Sequence, residues 1–218
     1  MGQVLAQLIP VALAAALSTV PITAALFILL SERRGTTALP FLAGWVIGTA
    51  AGVTLSALGA QSLPGRPRQL AGLVDNLEIL LGSALVLFGL VTLVRHRHAT
   101  ERRPSRIEGI GSVGPLAAFG IGLALNLRPK ALLLVAAAGL AISGAPRGVE
   151  NTVLLIAVYT AIATSTVVAP MLATVLFPER MEPRLLAARD WISAHGTAVT
   201  GTVVILVGAV VLAAGVSG

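Results

Sequence analysis

Six long apolar stretches, separated mostly by short polar ones, make up nearly the whole chain. They run over Val4–Leu30, Leu39–Ala60, Leu70–Val94, Val113–Ile142, Thr152–Phe177 and Gly196–Val216. Each is long enough to supply the ~20 residues that a helix needs to cross a hydrocarbon core of ~30 Å. The pattern predicts an all-α integral membrane protein of about six transmembrane helices. Only Arg95–Gly111 and Pro178–His195 are longer polar interruptions, so no soluble domain fits beside the spans. Met181, Leu185, Ala188 and Ile192 recur at helical spacing within the second. With Trp191 at headgroup level, they read as a short amphipathic helix on the membrane surface, or as a plain connector.

The first interruption sets three spans in residues 1–94 apart from three in residues 112–218, with 95–111 as a cytoplasmic linker. Three is odd, so two related halves would insert in opposite orientations, the inverted-repeat plan of many transporters. No residue-level identity joins the halves, but each opens with an overlong, proline-interrupted span. Val4–Leu30 covers 27 residues and Val113–Ile142 covers 30, about 40 and 45 Å of helix at ~1.5 Å per residue. The breaker is Ser18, Thr19, Val20 and Pro21 in the first. In the fourth it is Asn126, Leu127, Arg128, Pro129 and Lys130.

Proline removes an amide hydrogen bond and pushes the preceding residue out of helical geometry. Pro21 and Pro129 are therefore each expected to begin a half-helix, the position proline favours. Two such N-termini would present unpaired amides and partial positive charge to one place, and irregular backbone inside a membrane is tolerated only within protein or along a cavity. Arg128 and Lys130 add two cations, and neither has a carboxylate partner within its own span. Intramembrane charges default to a functional reading, and a substrate anion would be the missing partner. The alternative is a hairpin near one interface, with both side chains snorkelling to headgroups. The flanking runs Leu116–Leu125 and Ala131–Leu140 are each too short to span alone, which favours one broken element.

Elsewhere the chemistry is weaker. Thr160, Thr164, Ser165 and Thr166 either line a path, Thr164 and Ser165 foremost, or satisfy their own helix carbonyls. Gly44, Gly48 and Gly52 mark a close helix crossing, internal or between two copies in a homodimer. Asp75 and Glu78 lie one turn apart, more simply solvated than ligating. His96 and His98 sit between arginines that would repel a metal, and no metal site or cofactor is expected. His195 near Asp190 lacks a nucleophile, and no Walker loop, dinucleotide fingerprint or zinc-protease motif occurs. An enzyme is not expected.

Composition agrees with lipid as the solvent. The 218 residues are 56% hydrophobic and 11% charged, against roughly 25% charged in soluble domains. The net charge of +6 reflects loops rather than nucleic-acid binding, since no basic run is interleaved with aromatics. There is no cysteine, which excludes disulfides and thiol relays. Lys130 is the one lysine among fifteen basic residues, an arginine bias typical of a high-GC bacterium. No basic residue precedes Leu5 and the first apolar run is too long for a signal peptide.

The broken fourth span, with Asn126, Pro129 and Lys130 close together, resembles the Asn-Pro-Lys element of the LysE superfamily of six-span exporters. The Ser18–Pro21 break resembles that superfamily's first-span motif. Within it the chain looks most like the GAP or Sap family, the glycolipid- and sulfolipid-addressing proteins of actinobacteria. Leu127 and Arg128 separate Asn126 from Pro129, where the amino-acid exporters have these residues contiguous, and the first break has one proline rather than Pro-Gly-Pro. The resemblance implies a bacterial plasma-membrane protein that exports or flips a lipid-linked or amphipathic, anionic molecule. Small-solute export of the amino-acid type and a non-transporting scaffold for envelope-lipid assembly are the alternatives. Besides its substrate, the expected partners are membrane lipids.

Basic residues concentrate on the cytoplasmic side of membrane proteins. Loops after the first, third and fifth spans hold Arg33, Arg34, Arg95, Arg97, Arg102, Arg103, Arg106, Arg180, Arg184 and Arg189; the opposite side holds Arg66, Arg68 and Arg147. Both termini are therefore predicted outside. A single cysteine at position 99 should resist an impermeant thiol reagent in intact cells and react after permeabilisation. Labelling in intact cells would reverse the topology.

Overall fold

In a computed structural model that describes residues 2–62, 68–98, 113–146 and 148–217, the first apolar stretch is two helices. They are α1 (Gly2–Ala16) and α2 (Thr19–Leu29), meeting at 45°. Pro21 explains the break, because its ring crowds the carbonyl four residues back, which is that of Leu17. The restart expected at Pro21 lies two residues earlier, at Thr19. Any first-turn position tolerates proline, since the amides there have no partner within the helix.

The fourth stretch is also broken. α5 (Pro115–Ala124) ends in a 3-10 turn (Leu125–Leu127), and α6 (Pro129–Ser143) leaves at 65°. Pro129 is the first residue of α6, and Arg128 before it is extended, with φ −74° and ψ 146°, as a residue preceding proline should be. The remaining elements are α3 (Arg34–Ser62), α4 (Arg68–His98), α7 (Val149–Leu176) and α8 (Pro178–Ser217). The order of one broken and two long helices thus occurs twice, and no strand occurs among the described residues.

α3, α7 and the Ala194–Ala213 segment of α8 are each long and apolar enough to cross a membrane, and each bent pair qualifies as one further span. The protein is a multi-pass membrane protein. α4 has 31 residues, but its apolar stretch among the described residues narrows to Ile79–Val94. Residues 95–98 of the expected linker belong to α4, while 99–111 lie outside the described residues, as do the side chains of Asp75, Glu78, His96 and His98.

Pro178–His195 is no separate surface helix but the first half of a continuous 40-residue α8. Leu185 is buried, and Met181, Ala188 and Ile192 pack against a core cluster that includes Leu26 and Ile28 of α2. The apolar stripe is real, but it faces protein rather than headgroups. Arg189 lies 4.9 Å over the ring of Phe27, and Arg34 reaches Glu182 at 3.9 Å.

Two buried clusters stack along the bundle. One gathers α1, α6, the first half of α7 and the later parts of α3 and α8, with Leu8, Val53, Leu134, Leu155 and Val204. The other gathers α2, α5, the start of α3, the end of α7 and the first half of α8, with Ile28, Phe41, Ala118, Met171 and Leu185. α1 leads from the first cluster to the break and α2 onward into the second, whereas α5 and α6 run the other way. The two broken spans are therefore antiparallel and interrupted at the same level.

Glycines bring the helices this close. A Cβ at Gly44 would strike the carbonyl of Phe119, one at Gly122 would lie 2.8 Å from the amide of Trp45, and one at Gly48 would lie 2.5 Å from Nδ2 of Asn126. The stripe on α3 is thus an internal seat for the broken fourth span. Gly52 meets only ordinary contact from Val135 at 3.6 Å. A second crossing pairs α4 with α8, where Gly82 faces Gly208 and Gly89 faces Gly201. A Cβ at Gly82, Gly89 or Gly208 would lie 2.9 Å from the carbonyl of the facing glycine. Close backbone approach of this kind drives helix association where lipid offers no hydrophobic force. Gly44→Ala should lower stability by about 1–3 kcal/mol through overpacking. Gly120→Ala, which meets nothing within 4 Å, should leave thermal melting unchanged or slightly raised. Equal melting of the two variants would show that the α3–α5 crossing can relax freely.

Candidate functional site

Because both spans break between the two clusters, their ends meet around a cavity of about 430 Å³, counting the space open at its mouth. Ala15, Ser18 and Pro21 line it from the first break, Asn126, Arg128 and Lys130 from the second, Trp45 and Thr49 from α3, and Tyr159 and Ala163 from α7. α2 and α6 both start at this cavity, and neither helix has a side chain capping its N-terminus. Their dipoles therefore direct partial positive charge toward the same space.

The carbonyls freed by the first break are satisfied from other helices. Thr166 on α7 donates to the carbonyl of Ala16 at 2.6 Å, and Thr200 on α8 donates to that of Leu17 at 3.2 Å. At the second break Asn126 acts as a bracket. Its Nδ2 donates to the carbonyls of Gly122 at 3.2 Å and Trp45 at 3.4 Å, and its Oδ1 lies 3.0 Å from the hydroxyl of Thr49. That hydroxyl is also 2.9 Å from the carbonyl of Trp45. Asn126 thus ties the 3-10 turn to α3 with its polar atoms already engaged.

Lys130 is different. It lies in the first turn of α6, it is 7% exposed, and its Nζ has no hydrogen-bond partner among the described residues. The amine therefore ends inside the bundle and does not snorkel to an interface. Trp45, 5% exposed, also has an unpartnered Nε1. Arg128 is half-buried at the cavity's edge, between exposed Leu127 and Pro129. No carboxylate lines the cavity among the described residues. Its polar wall is rich in donors and lacks negative charge, so the chemistry it can complete is that of an oxyanion.

The sequence candidates divide accordingly. Ser18, Pro21, Asn126, Arg128 and Lys130 come together around one space. Thr19 and Pro129 start the two half-helices beside it, Thr19 packing where a Cβ on Gly196 would lie 2.6 Å from its methyl. Thr164 is buried and donates to the carbonyl of Thr160 at 2.7 Å, while Ser165 is exposed and donates to that of Ile162 at 2.8 Å. Neither lines the cavity. Thr160 has an unpartnered buried hydroxyl, also outside the lining.

Residues 8–217 match the family model described as Sap, sulfolipid-1-addressing protein. The chain belongs to the Sap family. It matches no curated protein and no solved structure. Both breaks and every cavity residue fall within the Sap match, and the family's description links the protein to lipid at the membrane.

The site generates a stability contrast within this Sap protein. Asn126→Ala removes the bracket that ties the 3-10 turn to the carbonyl of Trp45 and the hydroxyl of Thr49 on α3, and should cost about 1–3 kcal/mol. Lys130→Met keeps the side chain's length and removes an uncompensated buried charge, so it should melt at the parent temperature or above. Thermal melting of the purified proteins checks both. A strongly destabilised Lys130→Met would mean that the amine has a structural partner.

Proposed function

We propose that this Sap-family protein moves a lipid-linked or amphipathic anionic molecule across the membrane, as an exporter or flippase. The observation that carries the proposal is the buried amine of Lys130, which has no partner. A membrane-embedded cation is expensive, about 2.5–3.5 kcal/mol on insertion scales, and an arriving phosphate, sulfate or carboxylate would offset that cost. Arg128 at the edge suits bidentate capture of such a group, and Lys130 within suits a point charge. The enclosed space is small, so only the anionic group itself would enter and the rest of the molecule would stay in the bilayer. Antiparallel broken spans meeting at one level support alternating access around a fixed site, with both termini outside the bacterial plasma membrane.

Reconstitution into proteoliposomes tests this, using a fluorescent sulfated lipid analogue and radiolabelled sulfate or amino acids as cargoes. The parent protein should move the lipid analogue between leaflets. Lys130→Ala and Arg128→Ala should lose that movement by about tenfold or more, the equivalent of one charge-assisted contact, while melting normally. Normal transport by Lys130→Ala would make the residue structural. Movement of the small solutes but not the lipid would favour the small-solute exporter, and movement of neither would favour a scaffold.

A further inference from the structure

Trp45 was not singled out by any pattern in the sequence, yet its surroundings distinguish it from a core aromatic. The residue belongs to the cluster around Phe41 and Met171 and also lines the cavity shared with Lys130. The indole N–H is a donor only, and a buried tryptophan ordinarily finds it an acceptor. Here Nε1 is buried without one among the described residues. The carbonyl of Trp45 receives Nδ2 of Asn126 at 3.4 Å and the Oδ1 of Asn126 faces the hydroxyl of Thr49 at 3.0 Å, and neither oxygen is bonded to the indole. The indole is also held on a rigid seat. α3 and α5 touch at this residue, so that a Cβ on Gly122 would lie 2.8 Å from the amide of Trp45.

We infer that Trp45 is a ligand-binding residue, its indole N–H donating to an oxygen of the same anion that Lys130 neutralises. The inference rests on the anion reading of the cavity and adds a directional donor to it. A lysine amine alone holds charge with little regard to shape, whereas an indole on a fixed backbone donates to an oxygen along one direction only. The ligand class is an oxyanion, sulfate or phosphate, presented either by a lipid headgroup or free in water.

The chain has two tryptophans, and Trp191 is exposed on the first half of α8, stacked on His195 with ring centroids 5.5 Å apart. A Trp191→Phe background therefore leaves one indole resonance in isotope-labelled protein. The protein would be placed in phosphatidylcholine nanodiscs carrying increasing fractions of a sulfated glycolipid or phosphatidic acid, or titrated with inorganic sulfate or phosphate. Binding is measured in parallel on the parent and on Lys130→Met. The expected result is a saturable downfield shift of the Trp45 indole proton that is absent in Lys130→Met, with Trp45→Phe binding about tenfold or more weakly. A shift with doped nanodiscs alone assigns the headgroup as source, and a shift with the inorganic ions as well assigns the oxyanion itself; both support the inference. Lys130-dependent binding with a stationary indole resonance would overturn the role of Trp45 and leave the anion reading standing. Absence of any Lys130-dependent binding would overturn both. The resonance is read on the intact site, so the outcome does not depend on whether Trp45→Phe folds.

Discussion

A chain that crosses lipid has to satisfy its backbone without water, and Pro21 and Pro129 prevent two helices from doing so alone. The remainder of the fold answers that deficit. Thr166 and Thr200 bring hydroxyls from α7 and α8 to the carbonyls of Ala16 and Leu17. Asn126 pins the 3-10 turn to α3. With the breaks stabilised from outside, the two new helix N-termini stay open toward a shared cavity. Polarity at this level is thus partly consumed in holding the backbone and partly left over, and the leftover includes the donors Lys130 and Trp45 and the uncapped ends of α2 and α6.

Close packing makes that arrangement possible. Gly44 and Gly122 let α3 and α5 meet backbone to backbone, and Gly48 leaves space for the amide of Asn126. A side chain larger than hydrogen at Gly44, Gly48 or Gly122 would push the broken fourth span off α3. The reciprocal glycines of α4 and α8 do the same on the far side of the bundle. Small residues at the crossings thus serve the site indirectly, by setting where the broken ends come to rest.

Much of this was legible in the sequence, for physical reasons that can be named. Apolar runs in lipid are long and unambiguous, so the helical architecture followed from hydropathy, and Pro129 marked its half-helix to the residue because it occupies the first position. Pro21 sits later in its first turn, a choice that local propensity leaves open, and the restart was displaced by two residues. α8 was divided at Pro178–His195 because polarity there resembles a loop; its continuity depends on Leu185 and Met181 finding α2 and its neighbours, a tertiary fact. The hydroxyls of Thr164 and Ser165 turned to their own helix carbonyls, while Thr166 beside them went to α1. A linear pattern cannot separate these three. Trp45 left no signal at all, since what marks it is the absence of an acceptor across the fold. The Gly82, Gly89 and Gly201, Gly208 pairs did leave one, a spacing of two helical turns on each partner.

The two breaks enclose a place suited to an anion that no described residue supplies. An experimental structure in nanodiscs containing anionic lipid tests it most directly. The account predicts a compact density within hydrogen-bond reach of Lys130 Nζ, between Ser18 and Asn126, with acyl density leading outward past Arg128. A dry, closed space there, with the Lys130 amine turned out to the headgroups or paired to a carboxylate of the protein, would contradict it.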